Sequence, residues 1–204
     1  MKKARFITLE GIDGAGKSTQ MPRIEAALKS RGIGYIMTRE PGGTPLGERL
    51  REILLHQDMQ PQTEALLMFA SRMEHLARVI RPALEKGIWV ISDRFTDASF
   101  AYQGGGRGIG YEKLAELEEW VQEGFQPDLT LLFDLPVAVA QERLLKNAGL
   151  DRFEHEREAF FERVRHAYLE RASRFPERFV VIDSALPLEK VNVKLEEVLS
   201  TLCL

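Results

Sequence analysis

Residues 11–19 carry the most recognisable chemistry in this sequence. They read GIDGAGKST and fit the pattern G-x-x-x-x-G-K-[ST] of a loop that cradles phosphate. The apolar run 6–9 precedes them and a segment of helical periodicity follows, which is the strand–loop–helix context that the pattern requires. In such a loop backbone N–H groups converge on one anion, Lys17 reaches the outer phosphates and Ser18 places its hydroxyl on Mg²⁺. The alternative is a glycine-rich turn capped by Ser18 or Thr19, and the complete pattern favours a nucleoside-triphosphate site.

Two further stretches bring arginine to the ends of predicted strands. In residues 38–44, TREPGGT, Arg39 can hold a phosphate with two nitrogens, and Pro41 with the two glycines favours a tight loop. In residues 92–95, SDRF, Asp93 can hold Mg²⁺ and Arg94 reaches the same space. The alternatives are an incidental surface arginine and a buried Asp93–Arg94 ion pair, which adjacency on a strand disfavours because neighbouring side chains point to opposite faces. Two arginines at two strand ends predict a second phosphate site.

A ring and a planar cation share one face of a predicted helix. Phe69 and Arg72 lie three residues apart, a spacing that lets them stack a heterocyclic base and bind its edge. By periodicity alone, however, Phe69 is better interpreted as a core residue. His75 has no neighbour at metal-ligand spacing and is interpreted as structural.

Two connections between predicted elements have compositions that suit a mobile cover over a ligand. Residues 99–108, SFAYQGGGRG, are interpreted as a glycine-rich loop able to close over a ligand, with a plain flexible connection as the alternative. Arg143, Lys146 and residues 151–154 form a basic segment between two helices, and Arg152 on it can swing onto a transferring phosphoryl group. An ordinary helix–helix loop explains the second segment equally well.

The elements that must position these residues alternate along the chain. Short apolar runs typical of buried parallel strands alternate with segments of helical periodicity, and Pro82 is expected to kink or end the third helix. The pattern predicts a three-layer α/β fold with a five-stranded parallel sheet, whose ligands bind beyond the carboxyl ends of the strands. The predicted strands are 6–9, 35–37, 88–91, 129–133 and 179–182, and the predicted helices are 19–30, 46–55, 62–85, 111–123, 137–146, 158–174 and 188–202.

The composition sets limits on the class of protein. The 204 residues suffice for one domain with a substantial core, and a formal net charge of −3 argues against broad binding to nucleic acid. Cys203 is the sole cysteine, so no intrachain disulfide is possible. Glu10 interrupts the apolar run that follows the lysines at positions 2 and 3, and no stretch approaches the length of a membrane span. We therefore expect a cytoplasmic protein that has neither a nucleic acid nor a membrane as its partner.

Taken together, the motifs give the sequence a resemblance to the bacterial thymidylate kinases. The first motif is shared by very many nucleotide enzymes, whereas the ordered set of the others is specific to that family. The similarity covers nearly the whole chain and rests on Glu10 and Gly11 with Asp13 and residues 16–19, on 38–44, on 67–72 with His75, and on 93–95, 101–108, 127–129 and 151–154.

The resemblance implies an activity and an architecture. The activity is transfer of the γ-phosphoryl group of MgATP to dTMP, giving dTDP and ADP for dTTP synthesis, by a homodimer. The architecture is a P-loop nucleoside-monophosphate-kinase fold in a single domain, residues 1–204, with a short lid at about 143–156. Mg²⁺ would be held by Ser18 and Asp93. ATP would be bound by Gly11, Ile12, Asp13, Gly14, Ala15, Gly16, Lys17, Ser18, Thr19 and Arg143.

The resemblance also assigns residues to the acceptor and to catalysis. Phe69 would stack the thymine, Arg72 would bind its edge, and Tyr102 would disfavour a ribose. The full set expected to bind dTMP is Arg39, Pro41, Leu50, Phe69, Arg72, Arg94, Ser99, Tyr102 and Gln103. The catalytic set is Lys17, Asp13, Arg94 and Arg152.

Family members differ in where a catalytic arginine resides. The phosphate-loop position for it is Ile12 here, so the chain resembles the class whose arginine lies in the lid, and Arg152 is the residue expected to act. Lids of this class often carry an arginine where this chain has Asn147, which leaves open how charge stabilisation is divided among Arg143, Lys146 and Arg152.

Two other functions remain open at the level of sequence. A P-loop kinase for another nucleotide or nucleoside would share everything up to Ser18, but Phe69, Arg72 and residues 102–107 disfavour it. A nucleotide-dependent switch is less consistent still, because the sequence contains no Asn-Lys-x-Asp motif for reading guanine and the basic lid would have no purpose.

Overall fold

The computed structural model describes residues 4–145 and 154–202, and its centre is one parallel sheet. The strand order is β2-β3-β1-β4-β5, with every neighbouring pair parallel. The five predicted strands are confirmed; each ends one or two residues later than predicted, and the third also begins one residue later. Their bounds are β1 Phe6–Glu10, β2 Tyr35–Arg39, β3 Trp89–Asp93, β4 Leu129–Asp134 and β5 Phe179–Asp183.

The apolar runs become strands because helices cover both faces of the sheet. All of β1 is buried, and alternate residues point into two separate apolar clusters: Ile7 belongs to the one with α1, α8 and α9, and Phe6 to the one with α3 and α6. The three layers predicted from the sequence are therefore present. The helices are α1 Lys17–Ser30, α2 Pro45–His56, α3 Pro61–His75, α4 Arg81–Glu85, α5 Thr96–Ser99, α6 Tyr111–Gln122, α7 Val137–Leu145, α8 Glu154–Arg174 and α9 Leu188–Leu202.

The strand register brings the chemically active residues to one level. Leu9 pairs with Asp93, and Asp93 pairs in turn with Arg39. Because parallel strands run in the same direction, β1, β2 and β3 end side by side and their following loops open onto one edge of the sheet.

The third predicted helix changes its winding before Pro82. Residues Leu76–Ile80 form a π-helical segment between α3 and α4, in which the N–H of Arg81 bonds to the carbonyl of Leu76, five residues back. Proline has no N–H to donate and its ring collides with the carbonyl four residues earlier, so a wider turn lets the helix continue. The sequence predicted a kink or an end of the helix at Pro82; instead, the helix continues through Pro82 after a change of helical pitch.

The glycine-rich segment 99–108 is not the loop that its composition predicted. The helix α5 continues into a π-helical segment, Phe100–Gly106, which packs against α8. A Cβ atom on Gly105 would lie 2.8 Å from the carbonyl oxygen of Arg163, and one on Gly106 would lie 2.5 Å from the ring of Phe160. These glycines are required for the close approach of two helices rather than for flexibility, so the prediction was wrong.

A buried ion cluster holds this helical segment against α8. Asp97 is fully buried and accepts hydrogen bonds from Arg171 Nε at 2.8 Å and from Arg178 Nη1 at 2.7 Å. Burial alone would raise the pKa of Asp97, but the two guanidinium groups outweigh it and hold that pKa below its ordinary value. The carboxylate is therefore charged at neutral pH.

No helix within residues 4–145 and 154–202 has the length and apolar character needed to cross a membrane.

Loss of the negative charge at Asp97 should strongly destabilise the fold. The substitution Asp97→Asn leaves two largely buried cations without their shared carboxylate, and we expect the free energy of unfolding to fall by about 3–5 kcal/mol in urea titrations. The control is Glu197→Gln, which removes an exposed partner of Lys194 and should cost less than about 1 kcal/mol. Equal effects of the two substitutions would contradict this account.

Candidate functional site

A cleft of about 670 Å³ opens at the carboxyl edge of the sheet. It is lined by the predicted triphosphate loop and by the strand ends predicted to hold a second phosphate. The predicted site residues on its wall are Asp13, Gly14, Gly16, Lys17, Ser18, Thr19, Arg39, Asp93, Arg94 and Arg143. The residues of two predicted phosphate sites that lie far apart in the sequence therefore line one cavity.

The phosphate loop depends on backbone conformations that favour glycine. Gly11, Gly14 and Gly16 have φ values of 137°, 83° and 92°, in the region that other residues rarely adopt. A Cβ on Gly11 would also lie 2.4 Å from the carbonyl oxygen of Phe133. The side chains of Ile12 and Ala15 are buried in the core, so these two residues can offer a ligand only their backbone.

Lys17 is buried at the base of this loop. Its Nζ donates to the carbonyl oxygens of Gly11, at 2.9 Å, and Ile12, at 3.2 Å. Burial removes water from the ammonium group and Arg94 adds a nearby positive charge, and together they lower the pKa of Lys17 to about 8. A phosphate anion bound in the loop would stabilise the ammonium form and so raise the pKa of Lys17 again.

Asp93 has the properties of a cation ligand. Its Oδ1 is buried and has no hydrogen-bond partner within the described part of the chain. Ser18 is exposed on the same cleft. A carboxylate oxygen and a hydroxyl are the hard ligands that Mg²⁺ prefers, so the two residues fit the metal that the sequence implies.

Arg94 connects three parts of the structure. It has a φ of 70°, and its guanidinium donates to Asp13 Oδ1 at 2.7 Å and to the hydroxyl groups of Tyr102 and Tyr168, each at 2.9 Å. Burial opposes ionisation of Asp13, but the charges of Arg94 and Lys17 outweigh it and lower its pKa. Arg94 thus pairs with an acid from the phosphate loop and not with its neighbour Asp93.

Glu10 supports this arrangement and was missed by sequence reasoning, which treated it as the end of an apolar run. It is fully buried and accepts hydrogen bonds at 2.8 Å from the N–H of Phe95 and from the hydroxyl of Tyr168. Burial and the charge of Asp97 raise the pKa of Glu10 to about 8. An acid at a strand end beside a phosphate loop was the available signal.

The second strand end is organised by α2. Arg39 donates to Glu48 Oε2 at 2.7 Å in an exposed pair, and Glu48 Oε1 accepts from the N–H of Gly43. Arg51, which sequence reasoning also missed, lines the cleft and donates to the carbonyl of Pro41 at 3.0 Å. Leu50 is half-buried on the same helix.

Arg72 is fully buried beside the strand ends that are predicted to bind the second phosphate. Its Nε donates to Glu40 Oε2 at 2.8 Å and its Nη2 to Ser99 Oγ at 3.0 Å. The guanidinium lies 4.7 Å from the centre of the Phe69 ring, and Phe69 is only 2% exposed within an apolar cluster, as its periodicity predicted. Nη1 of Arg72 finds no partner among residues 4–145 and 154–202, although it is buried.

Glu40 is the residue that fixes Arg72, and sequence reasoning assigned it no distinct role. Its other oxygen, Oε1, lies 2.9 Å from Nδ1 of His75, whose Nε2 lies 2.7 Å from Thr38 Oγ1. His75 is therefore a buried structural residue, as expected. The TREPGGT motif supplies a buried acid as well as an arginine and a tight loop.

The far end of the cleft is formed by the β5–α9 connection. Arg143 donates to the carbonyl of Ser184 at 2.8 Å, and Ser184 donates through its hydroxyl to the carbonyl of Ala15. Leu186 and Leu188 add apolar surface there. Lys146 and Arg152, the other basic residues expected in the lid, lie outside the described residues.

Comparison with known proteins gives one consistent result. The family model described as thymidylate kinase matches residues 9–195. A thymidylate kinase of Cupriavidus pinatubonensis is 59% identical, with 98% of this chain and 100% of the relative covered, and one of Nitrosomonas europaea is 57% identical, with 97% and 93% covered. The crystal structure of thymidylate kinase from Ehrlichia chaffeensis superposes with a TM-score of 0.79 at 34% identity, over 97% of this chain and 98% of that one. On this evidence the chain belongs to the thymidylate kinase family.

Proposed function

We propose that the protein transfers the γ-phosphoryl group of ATP to dTMP, giving dTDP and ADP for the synthesis of dTTP. The observation that carries this proposal is a single cleft in which a phosphate loop faces Arg39 and Arg94. The buried Arg72 lies next to this cleft, because its Nη2 donates a hydrogen bond to the carbonyl oxygen of Phe95, the residue after Arg94. The names of the relatives support the choice of acceptor.

The residues of the cleft divide between donor and acceptor. Backbone N–H groups of residues 11–19 and the ammonium of Lys17 bind the phosphates of ATP, with Thr19 exposed beside them. Arg94, held by Asp13, binds the acceptor phosphate. Arg39 joins it by exchanging Glu48 for the phosphate, which costs little because that ion pair is exposed. The acceptor is already an anion, so the site requires no strong general base and acts by positioning and charge neutralisation.

Mg²⁺ is the proposed cofactor, held by Asp93 and Ser18. The unpartnered oxygen of Asp93 supports this assignment. When bound, the metal neutralises charge on the phosphates of ATP.

A lid at about residues 143–156 completes the proposed kinase domain, which spans residues 1–204. Arg152 is the proposed catalytic arginine, because the corresponding phosphate-loop position is the buried Ile12. Arg143 contributes charge at the ATP end of the cleft from α7. An arginine that reaches the transferring group supplies on the order of 10³–10⁵ in rate.

The thymine is proposed to enter a slot beside α3. Nη1 of Arg72, which has no hydrogen-bond partner among the described residues, donates to the 4-oxo group, and the side chains of Ser99 and Gln103 line the base. Stacking on Phe69 requires the slot to open, since only 2% of that residue is exposed. Tyr102, fixed by Arg94, lies toward the sugar, and Pro41 with Leu50 supplies apolar surface.

We also propose a cytoplasmic homodimer. Four exposed apolar residues of α3 and the π-helical segment that follows it, Leu66, Ala70, Met73 and Ala77, form a stripe at spacings of four, three and four. Trp120 is 71% exposed on α6, which packs against α3. Exposed apolar surface of this kind marks an interface between protein chains.

The substrate assignment is tested by ADP release from MgATP in a coupled assay with dTMP, dUMP, dCMP, dGMP or no acceptor. We expect strong stimulation by dTMP, weaker stimulation by dUMP, and none by dCMP, because one methyl group contributes only about 1–3 kcal/mol whereas a mismatched polar edge costs more. Arg152→Ala should lower the rate with dTMP by at least about a hundredfold. Slow turnover whatever the acceptor would favour a nucleotide-dependent switch instead, and comparable kcat/KM for dCMP and dTMP would contradict the role of Arg72.

The reduced pKa of Lys17 predicts a pH dependence of ATP binding. As the pH rises through about 8, free enzyme loses the Lys17 proton and with it the charge that attracts the triphosphate, so kcat/KM for ATP should fall between about pH 8 and about pH 9.5. The decline of kcat should begin at higher pH, because bound phosphate stabilises the ammonium. Since Glu10 also has a pKa of about 8, the fall should persist in Glu10→Gln. A flat profile would refute this reasoning.

The proposed interface is tested by the substitution Met73→Arg. A charge in the middle of the apolar stripe cannot be buried without a partner, so we expect the dimer to dissociate at about micromolar concentration in size-exclusion chromatography with light scattering. Val193→Arg is the matched control, because Val193 is 61% exposed on α9, outside the stripe. Unchanged mass for both variants would contradict the assigned interface.

A further inference from the structure

Two side-chain pairs connect α3 with the helical segment 96–106 across the proposed base slot. Arg72 donates to Ser99, and Gln103 Nε2 donates to Glu64 Oε1 at 2.7 Å. Ser99 and Gln103 lie four residues apart, and Glu64 and Arg72 lie eight apart, so each pair of residues shares one face of its helix. Glu64 therefore stands in the same row as the arginine that reads the base.

Each of the two side-chain pairs includes one buried polar atom that makes no hydrogen bond within the described residues. Nη1 of Arg72 and Oε1 of Gln103 are both inaccessible to solvent and have no hydrogen-bond partner in the regions that the structure describes. Buried polar atoms are rarely left unpaired, so these two are positioned for a ligand. One is a donor and the other is an acceptor.

The orientation of the Gln103 amide is imposed by Glu64. An ionised carboxylate only accepts hydrogen bonds, so it takes the NH₂ end of the amide and leaves the carbonyl end unpaired. Arg107 Nε lies 3.2 Å from Glu64 Oε2, and this ion pair helps to hold the carboxylate in place beside Gln103. Without such a partner the amide could turn over at little cost, because its two ends have nearly the same shape.

We infer that Glu64 is a specificity-positioning residue that makes the slot select a 4-oxo pyrimidine over a 4-amino pyrimidine. Thymine presents a 4-oxo acceptor and an N3–H donor, which match the unpaired N–H of Arg72 and the unpaired carbonyl of Gln103. Cytosine presents a 4-amino donor and an N3 acceptor, which oppose both. Glu64 acts only through Gln103 and does not touch the base. This inference rests on the proposed function, in which a pyrimidine nucleotide occupies the slot.

The substitution Glu64→Gln removes the preference for one amide orientation, because a glutamine at this position can accept from or donate to Gln103. Some molecules would then present the Gln103 NH₂ group to the slot and accept cytosine N3. We expect the ratio of the inhibition constant of dCMP to the KM of dTMP to fall about tenfold. The kcat and the KM of ATP should stay within about threefold of wild type, since the phosphate sites are untouched.

The experiment measures these constants for wild type, Glu64→Gln and the matched control Glu74→Gln, which makes the same change at a more exposed position on the same helix. In a Gln103→Met background, Glu64→Gln should change the ratio by no more than about twofold, because the amide on which Glu64 acts is absent. Thermal unfolding of each variant shows whether it is folded. If Glu64→Gln is unfolded at the assay temperature, the ratio is read on Arg107→Gln, where a fall of about threefold is expected.

The inference would be overturned if the folded Glu64→Gln variant had the same ratio of dCMP inhibition constant to dTMP KM as wild type. It would also be overturned if Glu64→Gln changed this ratio equally in the wild-type and Gln103→Met backgrounds. These outcomes differ from a failure of the proposed function. Wild-type protein whose ADP release is not stimulated by dTMP would contradict the function itself, whereas a dTMP-specific wild type with an unchanged ratio in Glu64→Gln would contradict only the role of Glu64.

Discussion

The arrangement of the site depends on the hydrogen bonds made by the guanidinium of Arg94, whose side chain is only 15% exposed. It joins the phosphate loop through Asp13, the acceptor-side helical segment through Tyr102 and helix α8 through Tyr168. Tyr168 in turn donates to Glu10, which also accepts from the backbone next to Arg94 and so supports its left-handed conformation. A buried cation is stable only when it is paired, so these partners have little freedom to move independently. The residues proposed to bind the donor and acceptor phosphates are thereby connected to one another.

Buried charge in this protein falls into two classes with different consequences. Asp97 with Arg171 and Arg178 forms a cluster whose charges are mutually compensated, and it serves to dock the segment 96–106. Around the cleft, by contrast, compensation is incomplete: Asp93, Arg72 and Gln103 each keep a buried atom without a partner in the described chain. The free energy of an unpaired polar atom is recovered when a substrate or metal pairs with it. The paired cluster at Asp97 stabilises the fold, whereas the unpaired atoms of Asp93, Arg72 and Gln103 remain able to bond to a ligand.

The same segment shows why composition misleads at a close helix contact. Glycines 104–106 read as a flexible cover, yet they are buried or half-buried, and they leave no room for a side chain against α6 at Gly104 or against α8 at Gly105 and Gly106. Because this segment is a rigid helix, Ser99, Tyr102 and Gln103 are held in fixed relation to Arg94 and Arg72. Any opening over the acceptor must come from elsewhere in the chain.

The sequence alone determined the alternation of strands and helices, the phosphate loop and the arginines at the strand ends, because these depend on local periodicity, on glycine conformations and on motifs contiguous in the chain. It also suggested that Phe69 is a core residue and that His75 is structural. Only the tertiary structure decided the partners: that Arg94 pairs with Asp13, that Glu40 holds Arg72 and His75 together, that the buried Glu10 accepts from the N–H of Phe95, and that Glu64 accepts from Gln103. Those pairs join residues 32 to 85 positions apart, and hydrogen bonds over such separations leave no periodic trace in a sequence.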